Sequence, residues 1–185
     1  MSDERFNIYK LYENSKKTLL HPKEYFASMK TQGGLGEPVI KALMYGVIAG
    51  IFVLIWSLLN LTGVSTGFLG GGVAGFFSAI IGTVIGVFIG GLIILIISAI
   101  CKGNTDFEPN MRVAAATMVL YPINAFLVFF SGISYSLGEI ISLAVSLYGV
   151  YLVYIAVTVT LQGETKTART VSYVLGAILI LFQIV

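Results

Sequence analysis

Residues 42–101 read ALMYGVIAGIFVLIWSLLNLTGVSTGFLGGGVAGFFSAIIGTVIGVFIGGLIILIISAIC, and none of them is charged. The charges that flank this stretch are Lys41 and Lys102. About 20 apolar residues are enough to cross the hydrocarbon core of a bilayer, so the stretch is far longer than one crossing needs. A soluble core does not account for so long an uncharged run in a chain of 185 residues. The stretch therefore predicts an integral membrane protein.

The composition of the whole chain supports the same interpretation. Hydrophobic residues make up 57% of the chain and charged residues only 11%, whereas soluble domains carry about 25% charged residues. The first 38 residues are mostly polar, so we expect no cleavable signal peptide. The first membrane span must then act as the insertion signal itself.

The hydrophobic pattern predicts an all-α, polytopic five-helix transmembrane bundle. A polar cytoplasmic tail is expected at residues 1–20, where a short surface helix and a frayed tail are both open, followed by a membrane domain at residues 21–185. The five spans are predicted at about 39–61, 68–100, 112–130, 137–161 and 167–185. The second is too long for one upright helix, so we expect either a long tilted helix or a broken segment followed by a span from about Phe77.

A short amphipathic helix is predicted at residues 22–31, before the first span. Pro22 suits a first helical position, and Tyr25, Phe26 and Met29 share one face. Two placements of this face are open. It lies in the headgroup region of the membrane, or it packs on the protein's own helices.

The basic residues indicate the orientation of the bundle. All eleven Lys and Arg residues fall on one side of the five predicted spans, and the loops at 62–67 and 131–137 contain none. The positive-inside rule places that side in the cytoplasm. The N-terminus is therefore expected to be cytoplasmic and the C-terminus outside.

Small residues recur every three or four positions along the second span. Such a stripe lets another helix approach closely, within one chain or between two copies. The functional alternative is that the exposed carbonyls line a pathway. The stripe comprises Gly71, Gly75, Ala79, Gly82, Gly86 and Gly90.

The third predicted span contains Tyr121-Pro122, and proline in a helix interior predicts a kink at the carbonyl of Met118. Asn124 is placed to cap the loosened backbone. Kinks occur at hinges and binding sites of transporters, but packing explains most of them.

Ionisable residues are expected only near span ends. Arg112 and Arg169 are predicted to snorkel towards water, with Lys166 in the same loop as Arg169. Asp106 and Glu108 precede Arg112, and their predicted role is to cap the third span and offset its helix dipole. No charge is predicted near the bilayer centre, so a proton relay or charge-coupled carrier is not expected.

Residues for catalysis are also few. One histidine and one cysteine give no metal-ligand spacing, and the scattered basic residues do not predict nucleic-acid binding. We therefore expect no enzyme activity and no cofactor.

Several motifs together resemble the Yip (Ypt-interacting protein) domain family in its short prokaryotic form. The resemblance covers about residues 20–185. It rests on the order of His21-Pro22-Lys23-Glu24-Tyr25-Phe26, Glu37-Pro38, Gly103-Asn104, Arg112, Tyr121-Pro122 and Lys166-Thr167-Ala168-Arg169. It implies a five-span protein with a cytoplasmic N-terminus, in a prokaryotic cell membrane. The eukaryotic branch is implicated in binding Rab-type GTPases, but its Asp-Leu-Tyr-Gly-Pro motif is missing here.

The sequence favours a non-enzymatic protein that organises membrane or protein partners through its cytoplasmic face. The expected partners are membrane lipids, a cytoplasmic protein and a second copy of the chain. The alternative is a small channel, carrier or lipid-moving protein that uses the glycine-lined second span and the kinked third span.

Overall fold

A computed structural model describes residues 8–59, 61 and 72–184, with side chains as far as residue 182. The described residues form helices and no strand, which confirms the all-α class. The helices are α1 (Ile8–Leu20), α2 (Pro22–Ser28), α3 (Gly36–Leu58), α4 (Ala74–Ile100), α5 (Phe107–Thr117), α6 (Leu120–Leu127), α7 (Phe129–Ile133), α8 (Tyr135–Val159) and α9 (Thr165–Ile184).

Five helical stretches of the described chain are long and apolar enough to cross a membrane, which confirms the polytopic bundle. They are α3, α4, the stretch Phe107–Ile133 formed by α5 to α7, α8 and α9. The third begins earlier than the predicted 112, because Pro109 and Glu108 suit a first helical turn and convert part of the expected polar loop into helix.

The third span is interrupted where the proline motif predicts a kink. α5 ends at Thr117 and α6 begins at Leu120, just before Pro122. At the break the Tyr121 N–H donates to the Met118 carbonyl at 3.0 Å, a tight i to i−3 bond in place of the regular helical one. In the described part of the chain no hydrogen bond of the Asn124 side chain is seen. Asn124 therefore does not cap the loosened backbone as predicted, and its carbonyl instead accepts the Val128 N–H.

The helix α2 packs on the protein itself, which decides between the two predicted placements. Phe26 is 1% exposed and Tyr25 8%, and both belong to the main hydrophobic core. The apolar face at residues 22–31 therefore does not lie in the headgroup region. Of the two N-terminal helices, α1 is the one with an exposed apolar face, where Ile8, Tyr12 and Leu20 are each more than 60% exposed.

Close approach between α3 and α4 depends on glycines of α3. A Cβ at Gly46 would overlap Thr83 Oγ1 and lie 2.9 Å from the Ile80 Cα. A Cβ at Gly50 would lie 3.0 Å from the Phe76 carbonyl oxygen. The backbones touch here because neither position carries a side chain.

The predicted glycine stripe of α4 is only partly an interface. Gly75 faces Val53 of α3, whereas Gly86 and Gly90 face Met118 and Ala114 of the third span. A Cβ at Gly82 would meet no described atom within 4 Å, so Gly82 makes no close contact within the described part of this chain, and its packing against a second copy stays a prediction. Gly82 precedes the buried Thr83 by one residue, about 100° around the helix. Gly71 lies outside the described residues.

Candidate functional site

The candidate site lies at the end of the bundle where α3, α5 and α9 begin and α4 and α8 end. We call this the basic end, because the helices and loops that meet there carry every basic residue of the described chain. These residues are Lys10, Lys16, Lys17, Lys23, Lys30, Lys41, Lys102, Arg112, Lys166 and Arg169.

Arg112 forms the most highly connected ionic contact of the basic end. Its side chain is 5% exposed; Nη1 lies 2.7 Å from Glu37 Oε2 and Nε lies 3.1 Å from Glu108 Oε1. Nη2 donates to the Gly34 carbonyl at 3.0 Å, and the Gly34 N–H returns to Glu108 Oε1 at 2.6 Å. We call these four residues the Arg112 clamp. The prediction that Arg112 snorkels to water is wrong, because two carboxylates and a carbonyl satisfy it inside the protein.

Local backbone geometry makes the clamp possible. Glu108 and Arg112 are four residues apart on α5, so their side chains meet on one helix face. Gly33 has φ +135° and Gly34 φ +88°, which turns the loop so that the Gly34 carbonyl and N–H both face α5. A Cβ at Gly33 would also lie 2.9 Å from Arg112 Nη2.

Two faces of the helix α1 contact the rest of the protein, and the first faces the bundle. Leu11 and Thr18 are buried there, and Ser15 Oγ lies 2.8 Å from the Tyr45 hydroxyl. At the end of α1 the Tyr148 hydroxyl donates to the Leu19 carbonyl at 2.5 Å. Further on, the Thr160 hydroxyl donates to the Phe26 carbonyl of α2 at 2.6 Å. These bonds join the N-terminal helices to both α3 and α8.

The second face of α1 lines a cavity of about 180 Å³, which we call the basic pocket. Lys10, Asn14 and Lys17, spaced four and three residues apart, form this face. The remaining wall comes from α2, the following loop, α3 and α5. The described residues that line the pocket are Lys10, Asn14, Lys17, Tyr25, Ser28, Met29, Lys30, Glu37, Pro38, Lys41, Arg112 and Ala115.

Lys41 is a second buried cation of the basic pocket, besides Arg112. It is 8% exposed, and its Nζ donates to the Tyr25 hydroxyl at 2.7 Å. The same Nζ lies 5.1 Å from the centre of the Tyr25 ring. Lys41 forms no ion pair with a carboxylate of the described residues, in contrast to Arg112.

Two loops of the basic end pair with each other through backbone hydrogen bonds. The Asn104 N–H donates to the Leu161 carbonyl, and the Glu164 N–H donates to the Cys101 carbonyl, both at 2.7 Å. Lys102 and Glu164 add an exposed ion pair at 3.4 Å. A hydrogen bond from Thr167, together with Lys102, lowers the pKa of the Glu164 carboxyl below its usual value. Burial raises the pKa of the Cys101 thiol, so Cys101 stays protonated and is not poised as a nucleophile.

The other predicted site residues do not gather at one place. Asp106 is the N-cap residue of α5, but its side chain makes no capping bond, so the predicted capping role is wrong for Asp106. Lys166 and Arg169 are exposed at the start of α9, and Arg169 borders an apolar groove between α8 and α9. Tyr121 is 43% exposed on α6, and Pro122 is buried in the same helix.

Sequence reasoning missed several residues of this site. The sequence places Tyr25 on an apolar face, Glu37 in a family motif and Lys41 beside the uncharged run. It does not indicate their contacts, because these join separate segments of the chain. The available signal was the spacing of Lys10, Asn14 and Lys17, which places two lysines on one helix face. In the described part of the chain, no group of three or more His, Cys, Asp or Glu residues could hold a metal ion.

Comparison with known protein families identifies a match over most of the chain. The family model for the Yip1 domain matches residues 16–185. No curated protein matches the chain, and no solved structure matches it. Because the family match extends from within α1 to the last residue, the chain belongs to the Yip1 domain family.

Proposed function

We propose that this Yip1-domain membrane protein is a non-enzymatic adaptor that docks a cytoplasmic protein on its N-terminal helices. We call the docking surface the platform and define it as α1, α2 and residues 29–36. The observation that carries the proposal is the Arg112 clamp, which fixes the end of the platform to two spans. Removing one partner of a buried ion pair typically costs about 3–5 kcal/mol of stability, so the clamp resists release of the platform.

The attachment of the platform to several spans also supports a docking role. Four residues of the bundle each hydrogen-bond to it: Tyr45 of α3, Tyr148 of α8, Thr160 at the C-cap of α8 and Arg112 of α5. A passive tail needs no such attachment, since ordering a segment costs conformational entropy. The arrangement presents the exposed face of α2, with Lys23, Glu24 and Ala27, in a fixed orientation.

The proposal requires the basic end to face the cytoplasm. The positive-inside rule supports this orientation, because the described basic residues all belong to that end. A test of the orientation starts from a Cys101→Ala variant and adds one new cysteine. The cysteine replaces Lys166 at the basic end or Tyr135 at the other end, where Tyr135 is 75% exposed. An impermeant maleimide should label Tyr135→Cys in intact cells and Lys166→Cys only after permeabilisation. The reverse pattern would overturn the orientation.

The docking role itself is tested by photocrosslinking in cells that naturally contain the protein. A photoreactive residue at Ala27 should form a discrete protein adduct, and one at Tyr135 should not form it. Arg112→Met should abolish the adduct by releasing the platform, whereas Arg169→Gln, an exposed arginine, should leave it unchanged. The captured protein is then purified, and its binding to the parent chain and to Arg112→Met is measured in nanodiscs. Equal adducts from both ends, or binding that Arg112→Met does not weaken, would contradict the proposal.

A further inference from the structure

We infer that the basic pocket binds a phosphate group, supplied either by the headgroup of an anionic phospholipid or by a soluble phosphate. The inference starts from charge. Among the described lining residues, Arg112 pairs with the one carboxylate, Glu37, whereas Lys17 and Lys41 form no ion pair with a described carboxylate.

The single carboxylate is already occupied by Arg112. Glu37 Oε2 accepts from Arg112 Nη1 at 2.7 Å, and Arg112 is further satisfied by Glu108 and Gly34. Glu37 is therefore engaged by Arg112, which also pairs with Glu108. The positive charge of Lys41 remains without a carboxylate in ion-pair contact among the described residues.

Lys41 is the group that points to an anion. An ammonium has three N–H donors, and the structure gives Lys41 one acceptor, the Tyr25 hydroxyl. Burying a cation without a counter-ion is costly. An anion in the cavity would accept from Lys41 and be approached by Lys17 from α1. The cavity of about 180 Å³ is well above the roughly 10–15 Å³ that one water molecule requires.

The depth of the pocket corresponds to the lipid headgroups. Lys41 is the sixth residue of α3, about 7–8 Å from its start at 1.5 Å per residue. The contacts of α1 lie deeper, because Tyr45 and Tyr148 are about 13–17 Å from the ends of α3 and α8 at the same rise. The exposed apolar side chains of α1, Ile8, Tyr12 and Leu20, suit the layer about 5–10 Å into the headgroup and acyl boundary. The pocket then opens just above that layer, where lipid phosphates lie.

The experiment measures the thermal stability of the full chain in nanodiscs of phosphatidylcholine alone, with phosphatidic acid, or with phosphatidylglycerol. A fourth sample contains phosphatidylcholine discs with inorganic phosphate in solution. Stabilisation by either anionic lipid, but not by inorganic phosphate, identifies a headgroup site. Stabilisation by inorganic phosphate in neutral discs identifies a soluble phosphate. If none of the three additions stabilises the chain, the inference is wrong.

The matched variants are Lys41→Met and Lys166→Gln, which each remove one positive charge from the basic end. Loss of a charged hydrogen bond to the ligand should weaken binding by about tenfold or more in Lys41→Met, while Lys166→Gln keeps the parent affinity. Lys41→Met also leaves the Tyr25 hydroxyl without its Lys41 donor, so the folding of this pocket variant is checked in neutral discs before binding is compared. If that variant fails to fold, Lys17→Gln replaces it and should also weaken binding. Equal binding by the pocket variant and Lys166→Gln would overturn the inference, because bulk charge would then explain the effect.

Discussion

The helices are held together by different interactions at the two ends of the bundle. At the basic end, the contacts are the Arg112 clamp, the paired loops and the hydrogen bonds to the platform. At the opposite end, aromatic rings of α3 and the third span pack together. The ring centres of Phe52 and Phe126 are 5.2 Å apart, and those of Trp56 and Phe129 are 5.4 Å apart. The Trp56 Nε1–H also donates to the Ala125 carbonyl at 3.0 Å.

The difference shows what each end can do besides hold the helices. Aromatic packing tolerates small shifts, since ring pairs are favourable over a range of geometries. Directional bonds to charged groups do not tolerate them. The basic end therefore has the fixed geometry that recognition of a ligand or partner requires. The aromatic end has the composition of an interfacial anchor, since tryptophan and other aromatic residues favour the membrane–water boundary.

Removing the clamp should have the largest effect on stability. We expect Arg112→Met to lower the free energy of unfolding by about 3 kcal/mol. This is the low end of the range for a broken buried pair, because the Glu37 side chain is 56% exposed and can regain water. Unfolding by denaturing detergent in mixed micelles measures the change. The control Arg169→Gln should stay within about 0.5 kcal/mol of the parent, and an equal loss in both variants would remove the distinction between clamp and surface charge.

The next largest loss of stability is expected from a substitution in the close contact between α3 and α4. Gly46→Ala places a Cβ against Thr83 Oγ1 and the Ile80 backbone, so we expect a loss of about 1–3 kcal/mol from overpacking. Gly82→Ala is the matched control on the facing helix. It has open space and should be neutral or slightly stabilising, because alanine favours helix more than glycine does. Equal destabilisation in the same unfolding assay would restore the full glycine stripe as an interface, within or between chains.

A smaller loss is expected at the aromatic end. Trp56→Phe keeps a ring but removes the hydrogen bond to Ala125, at a cost of about 1 kcal/mol. The same unfolding assay reports it. A loss as large as that of Arg112→Met would mean that the aromatic end is as dependent on one directional bond as the basic end.

The smallest effect should be a pH dependence of the paired loops. The Glu164 pKa lies below the ordinary 4.5, so its contribution is complete above the unfolded-state pKa and is lost as pH falls through the lower folded value. The hydrogen bond from Thr167 is the largest single cause of the shift, and Lys102 adds a hydrogen bond and its charge. Thr167→Val and Lys102→Gln should therefore each raise the Glu164 pKa, as carboxyl NMR titration would show. An unchanged Glu164 pKa in Thr167→Val would assign the shift to the ion pair alone.

The parts of the fold that lipid dictates were predictable from sequence. The five spans follow from runs of apolar residues, and the break before Pro122 follows from a missing N–H. The Arg112 clamp was not predictable, because a charge at a span end usually snorkels, and Glu37 lies 75 residues away. The surroundings of Gly82 were not predictable for a related reason: spacing defines a helix face, but it does not say which neighbour that face meets. The cytoplasmic orientation, the partners and a second copy of the chain remain predictions.

The bonds that hold the platform also set an order for its assembly during synthesis. The Leu19 and Phe26 carbonyls accept from side chains 129 and 134 residues later. At about 5–20 residues per second, a ribosome needs roughly 7–27 s to make Thr160 after Phe26. The platform can complete its attachment only after the fourth span has been made. A nascent chain that stops early would leave its N-terminal helices undocked, which gives quality-control proteases a physical difference between a finished bundle and an unfinished one.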